Sequence, residues 1–338
     1  MADIESRPRF ALGREDLQVK EKLIWAGTYV LVFLLSFCGG LVVAARPFAD
    51  FAGIAEVDWT DAIGVIETDL PYGDGALNKF DLYLPTDRAR ATKLVLYIHA
   101  GGFTGGDKAD DAKLAKYFAS KGYVGATINY SLRSNANDYN VKQMSDEIKQ
   151  GVAAIVTAAK TRGYRLDGMA VAGGSAGGTL AMIYAYRDAK TSPVPLNAVI
   201  SMVGPASFEP AAWFGFKDDY ASDETAKAGA QFVTIMTGDK VTPEMMRAGS
   251  YRKNLEPITA AALFSPDAPP TLVAYGELDK VAPFAASSDF VDELKRSKVP
   301  HDALVFPNSG HALNRDPELA VQLGQKINEY LDRYVPLG

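Results

Sequence analysis

Residues 171–180 read VAGGSAGGTL. A strand-like apolar run gives way there to a helix-like one, and Ser175 stands at the junction among glycines. Gly173-Gly174-Ser175-Ala176-Gly177 fits the pattern G-x-S-x-G between an expected strand and an expected helix. A turn that sharp needs neighbours without side chains, so that the strand and helix backbones can pass close by. The hydroxyl then projects above the sheet at the positive end of the following helix, a setting that suits a nucleophile. The plainer alternative is a glycine-rich helix start with Ser175 as its N-cap.

On either side of this turn, short apolar runs at 93–99, 123–130, 169–175, 197–204, 270–279 and 301–307 suit strands buried on both faces. Helical patterns lie between most of them. In 141–163, Met144, Ile148, Val152, Ile155, Val156 and Ala159 share one face, and 281–298 and 316–335 read similarly. The alternation predicts an α/β fold, a mostly parallel doubly wound sheet with helices on both faces. Runs 62–67 and 79–85 around PYGDG predict a leading antiparallel hairpin. The stretch between 204 and 270 exceeds an ordinary crossover and predicts a cap insertion over about 205–265, read as poor in helix. It carries Trp213, Phe214, Phe216, Phe232, Met236, Met245 and Met246, which either line a substrate pocket or form the insertion's own core.

Within 338 residues, a net charge of −6 and the lack of a basic patch exclude a nucleic-acid partner. Cys38 is the single cysteine, so neither an internal disulfide nor a thiolate metal site is expected. Residues 23–45 run for 23 positions without a charge, enough to cross a bilayer as a helix. Arg7, Arg9, Arg14, Lys20 and Lys22 precede this run, whereas only Arg46 follows before Lys79. That asymmetry predicts a cytoplasmic tail at 1–22, a transmembrane anchor at 23–45, a linker at 46–61 and an extracytoplasmic domain at 62–338. The alternative is a signal peptide cleaved after Val43-Ala44-Ala45 and a secreted product.

A serine alone is a poor nucleophile and requires a base and an acid. Of the three histidines, His99 and His301 sit on expected strands, and His311 sits in the loop PNSGHALN after the last one. A loop imidazole is free to lean over the serine, so His311 is the candidate base. Asp279, in YGELDKVAP at a strand end, is the candidate acid ahead of Asp239 and Glu277, and it can also cap a helix starting near Pro283. Attack on a carbonyl makes its oxygen anionic, and each preorganised N–H donor there lowers the barrier by roughly 3–4 kcal/mol. The loop HAGGFTGGDK (99–108) offers the N–H groups of Gly101 and Gly102, and Ala176 offers a third. A phosphate cradle is the alternative, but the spacing fits neither a P-loop nor a dinucleotide fingerprint, and no H-E-x-x-H metal motif occurs.

These residues in this order resemble the α/β-hydrolase superfamily, within it the hormone-sensitive-lipase and acylaminoacyl-peptidase-like carboxylesterases with an H-G-G-G motif. PYGDGALNKFDLYLP, HAGGFTGGDK and NYSLRS look like the bacterial feruloyl-esterase-like group. The resemblance spans about residues 62–335 and implies hydrolysis of a small-molecule ester through Ser175, Asp279 and His311, with no cofactor and no metal. Ala100 departs from the family's usual glycine. The expected activity is a serine carboxylesterase on short-chain or small aromatic esters. The alternatives are a lipase on longer chains, a serine peptidase, which would ordinarily bring a large propeller ahead of this domain, and a non-catalytic binding protein on the same fold. Oligomeric state is not encoded in any of these signals.

Overall fold

Eight strands make one sheet in a computed structural model that describes residues 54–217 and 220–338. The expected tail at 1–22, the anchor at 23–45 with Cys38, and residues 46–53 of the linker lie outside the described residues. Among the described residues no helix is long and apolar enough to cross a membrane. The strands are β1 (Gly64–Pro71), β2 (Lys79–Pro85), β3 (Lys93–Ile98), β4 (Val124–Ile128), β5 (Gly168–Gly174), β6 (Leu196–Met202), β7 (Thr271–Gly276) and β8 (His301–Phe306). Their spatial order is β1-β2-β4-β3-β5-β6-β7-β8. The pairs β1/β2 and β2/β4 are antiparallel and the rest parallel, so the expected hairpin leads a mostly parallel sheet.

The chain leaves β3 for β4 on one side and returns with β5 on the other, so β3 and β5 are neighbours with Ile98 opposite Gly173. The carboxyl ends of these two strands form the point where the winding reverses, which is where open α/β sheets bind ligands. Full burial of β4 and β5 explains their unbroken apolar or small-residue runs. Helices cover both faces. On one side lies α2 (Val141–Thr161), which starts at a reciprocal Asn140/Gln143 cap and buries Met144, Ile148, Val152, Ile155 and Ala159. On the other lie α1 (Ala112–Ser120) and α10 (Pro317–Tyr334), packed against Val95, Tyr97, Ala170 and Leu272.

Two expectations need correction. The helical pattern over 281–298 is split at Ser287, φ −133°, whose hydroxyl accepts the Ala206 N–H, into a 3₁₀ turn, Phe284–Ala286, and α9, Ser288–Arg296; ahead of both, Asp279 takes the N–H groups of Val281 and Ala282 in a turn of its own. The insertion is not poor in helix. It holds α4 (Pro210–Phe214), α5 (Asp223–Thr237), α6 (Pro243–Arg247), α7 (Arg252–Leu255) and α8 (Ala260–Leu263). Most are four or five residues long, started by Pro210 or Pro243 or stopped by left-handed Gly215, too short to show a helical period. The apolar residues of the insertion mainly build its own core: Phe232, Met236 and Met246 are buried, and Trp213, Phe214, Phe216 and Met245 pack partly buried against them.

Candidate active site

Ser175 links β5 to α3 (Ala176–Ile183) with φ 50° and ψ −119°, a conformation side chains rarely adopt. The surrounding sequence leaves room for nothing larger. A Cβ on Gly173 would lie 2.4 Å from the Gly177 carbonyl, and one on Gly177 would lie 2.0 Å from the Ile98 oxygen. The strained turn is held by the Ser175 N–H, which donates to Met202 O at 2.7 Å. Its side chain makes no capping bond to the helix it precedes. The hydroxyl instead lies 2.8 Å from His311 Nε2.

His311 Nδ1 lies 2.7 Å from Asp279 Oδ2. A carboxylate can only accept, so Nδ1 carries the proton and the Nε2 lone pair faces the serine hydroxyl. Asp279 is buried, and its other oxygen accepts the N–H groups of Val281 at 2.8 Å and Ala282 at 3.0 Å. The anticipated cap of a helix starting near Pro283 is not what Asp279 makes: Pro283 precedes the 3₁₀ turn without a side-chain cap, and Asp279 closes the turn before it, leaving one oxygen for His311 and one for that turn. In this arrangement the Nε2 lone pair could accept the serine proton while the carboxylate faces the other ring nitrogen.

The loop carrying His311 is closed by Asp316, a residue that sequence reasoning passed over. Asn308 donates its side-chain amide to Asp316 at 2.8 Å and its N–H at 3.2 Å, and the Ser309 hydroxyl donates at 2.6 Å. Ser309 is fully buried, accepts the Arg315 N–H at 3.0 Å, and its carbonyl accepts the Leu278 N–H at 3.0 Å beside the acid. An aspartate immediately before Pro317, eight residues after an asparagine, was the available signal.

In the loop that follows β3, residues 101–103 take left-handed backbone angles: Gly101 φ 129°, Gly102 φ 60° and Phe103 φ 66°. The Gly101 carbonyl accepts from Thr104 and Gly105, and a Cβ on Gly101 would lie 1.9 Å from Gly105 O. Among the described residues no carbonyl accepts the N–H of Gly101, Gly102 or Ala176. The N–H of Ala176 opens α3, where the helix dipole is positive. Ala100 is absent from the positive-φ residues, so the conformational freedom of a glycine is not required there.

His99 and His301 serve elsewhere. His99 is buried, stacked on Tyr130 at 4.3 Å between ring centres, and its Nδ1 faces the Ala100 carbonyl at 2.6 Å. Burial pushes its pKa below the ordinary histidine value and keeps the ring neutral beneath the donor loop. His301 bonds to the Val299 carbonyl at the start of β8. Asp239 stays within the insertion, accepting from Asn254, and Glu277 is exposed.

The donor loop is anchored by groups the sequence did not single out. Lys108 N–H donates to Asn129 Oδ1 at 2.6 Å, and the Asn129 amide donates to Asp107 at 2.8 Å. The Lys108 ammonium sits 2.9 Å from buried Asp81 and 3.0 Å from Asp69. Burial opposes its charge, yet the two carboxylates more than offset this and hold its pKa above the ordinary lysine value. Among the described residues no group of three or more His, Cys, Asp or Glu is placed to hold a metal. A surface groove of about 490 Å³ between β1 and α2, lined by Leu70, Phe80, Ala154 and Arg162, contains none of the candidate residues. Hydrogen bonds, not this groove, mark the site.

Among solved structures, an esterase B from Lactobacillus rhamnosis inhibited by a tributyrin phosphonate superposes with a TM-score of 0.61 at 20% identity, covering 95% of this chain and 96% of that one. A butyrate-bound esterase from Thermogutta terrifontis superposes with a TM-score of 0.62 at 19% identity, covering 82% and 96%. At these identities the likeness is one of fold, the α/β-hydrolase fold. Curated relatives include a probable isoprenylcysteine alpha-carbonyl methylesterase of Oryza sativa, 25% identical over 249 residues, and a probable carboxylic ester hydrolase, LipM, of Mycobacterium tuberculosis, 27% identical over 257. The matches cover 71% and 73% of this chain and 56% of each relative, so the chain spans a little over half their length. The BD-FAE family profile matches residues 80–294, which is most of the described domain, and the chain belongs to that family.

Proposed function

We propose that the chain is a serine carboxylesterase. The observation that carries this reading is the unbroken relay from Asp279 through His311 to Ser175, at 2.7 and 2.8 Å. In the proposed reaction the Ser175 oxygen attacks the ester carbonyl while its proton passes to His311 Nε2. Asp279 stabilises the imidazolium, and the N–H groups of Gly101, Gly102 and Ala176 face the new oxyanion. His311 returns the proton to the departing alcohol, leaving an acyl group on Ser175. Water, deprotonated by His311, then releases the acid.

Short acyl groups of about two to six carbons, or small aromatic ones, are the proposed substrates. Two observations support this. Much of the insertion's apolar surface is spent on its own core rather than left for a long chain. The two esterases of like fold carry butyrate or a tributyrin-derived inhibitor. Residues 23–45, outside the described part, are proposed as a membrane anchor with the domain facing outward, supported by the charge asymmetry across them. Protease shaving of intact cells or spheroplasts checks that arrangement, and a mature N-terminus near Arg46 would replace the anchor with a secreted form.

A fluorophosphonate probe should label Ser175, and Ser175→Ala or His311→Ala should each lower turnover by about 10⁴- to 10⁶-fold. Absence of labelling would leave a binding protein on a hydrolase fold. On a panel of esters of increasing chain length, a rate maximum at about twelve carbons or more, with activation at an oil–water interface, would make this a lipase.

A further inference from the structure

Phe103 is the residue after the last candidate donor, Gly102, and it holds φ 66° although it is not a glycine. Such a residue keeps that angle only where its surroundings impose it. Two contacts do so here. The Phe103 carbonyl accepts the Arg133 N–H at 2.9 Å, and its ring, 4% exposed, packs on Phe208 with centres 6.0 Å apart.

Phe208 belongs to the base of the insertion, and it is fixed there. Two residues before it, the Ala206 N–H donates to the Ser287 hydroxyl at 3.1 Å, and the Ala206 carbonyl accepts the Ala261 N–H at 3.0 Å, so both ends of the insertion are tied at one point. The Phe208 ring, 0% exposed, stacks on Trp213 at 5.9 Å and 12° and touches Phe232 at 6.5 Å. The aromatic core of the insertion therefore runs without a break into the loop that presents the Gly101 and Gly102 N–H groups. Rings with so little exposed surface offer no face to an acyl chain, so this contact does not act by lining a pocket.

We propose that Phe208 is a positioning residue for the oxyanion hole: through the Phe103 ring it holds residues 101–103 in the left-handed geometry that aims the donors. The insertion is a brace for the donor loop. This inference rests on the proposed ester hydrolysis, since it assigns a role within that site.

The test uses Phe208→Ala, Phe208→Leu and Phe103→Gly with p-nitrophenyl acetate and p-nitrophenyl butyrate. Displacing donors by a fraction of an ångström to 1 Å should lower kcat by about 10- to 100-fold on both esters alike, with KM within about threefold. Affinity for a trifluoromethyl ketone, which forms a tetrahedral adduct on the serine, should fall in parallel with kcat/KM. Phe208→Leu should restore most of the loss. Phe103→Gly tolerates φ 66° without strain but deletes a buried ring; read beside Phe208→Leu, with circular dichroism showing each folded at the assay temperature, it decides the matter if Phe208→Ala does not fold. Wild-type kcat in Phe103→Gly would overturn the inference, as would a loss confined to butyrate or to KM. Unmodified protein that hydrolyses neither ester would break the proposed function and this inference with it. Active unmodified protein with unimpaired variants breaks the inference alone.

Discussion

Two loops meet over Ser175, and they are held in different ways. The donor loop after β3 is tied to distant parts of the chain: Lys108 reaches Asp81 and Asp69 on the hairpin, and its N–H reaches Asn129, 21 residues on. The base loop after β8 is tied mostly to itself, with Asp316 gathering Asn308 and Ser309 only eight and seven residues back. The donor loop thus depends on the antiparallel edge of the sheet, whereas the base loop comes with its own clamp. The difference suits the tasks proposed for them. Donors must be rigid before the charge develops, and an imidazole must only turn within reach of two partners.

Two substitutions separate the loops. Lys108→Met leaves Asp81, whose side chain is 3% exposed, without its cation, and should lower unfolding free energy by roughly 3–5 kcal/mol. Urea unfolding measures it. A loss below about 1 kcal/mol would mean that Asn129, not the ion pair, holds the loop. Asp316→Ala should affect only the base loop, lowering kcat by about tenfold with little change in KM. Unchanged kcat would show that the Asp279 bond alone orients His311.

The smallest effect concerns Asp111, the buried carboxyl that ends the donor loop. Burial first, and the neighbouring Asp110 charge second, push its pKa up to about 7. A folded value above the unfolded one means that the folded chain retains a proton the unfolded chain has lost, so this group's contribution to stability fades as pH rises from about 4 through about 7. Asp111→Asn cannot ionise. Its Tm should exceed wild type by about 2–6 °C at pH 8 and match it at pH 4. An advantage that shrinks with rising pH would place the ionised carboxylate in the fold.

The central parallel strands are legible because burial on both faces makes them apolar or small throughout, whereas edge strand β8 is only partly buried, and the long helix α2 is legible because its buried face repeats at helical spacing. Ser175, His311 and Asp279 can be named from sequence for a related reason: each follows a strand that announces itself. The short helices of the insertion show no period, and the break at Ser287 within 281–298 coincides with a bond to distant Ala206 that no local pattern announces. Lys108 reads as an ordinary surface lysine until the fold brings Asp81 to it. Phe208 escapes for the same reason, since nothing local in ASFEP points to Phe103. What sequence hides here is pairing between positions far apart in the chain.

Asp279 spends one oxygen on His311 and the other on two backbone N–H groups, and that division makes its nearest isostere a poor substitute. An asparagine has a single accepting oxygen. Pointed at Val281 and Ala282, it would turn its NH₂ toward His311 Nδ1. The imidazole would then have to accept there and carry its proton on Nε2, against the serine hydroxyl. Pointed the other way, it would keep the useful tautomer and set two amide hydrogens against two backbone N–H groups. The geometry therefore selects for charge at this position through tautomer choice, with both faces of the carboxylate enforcing the same answer.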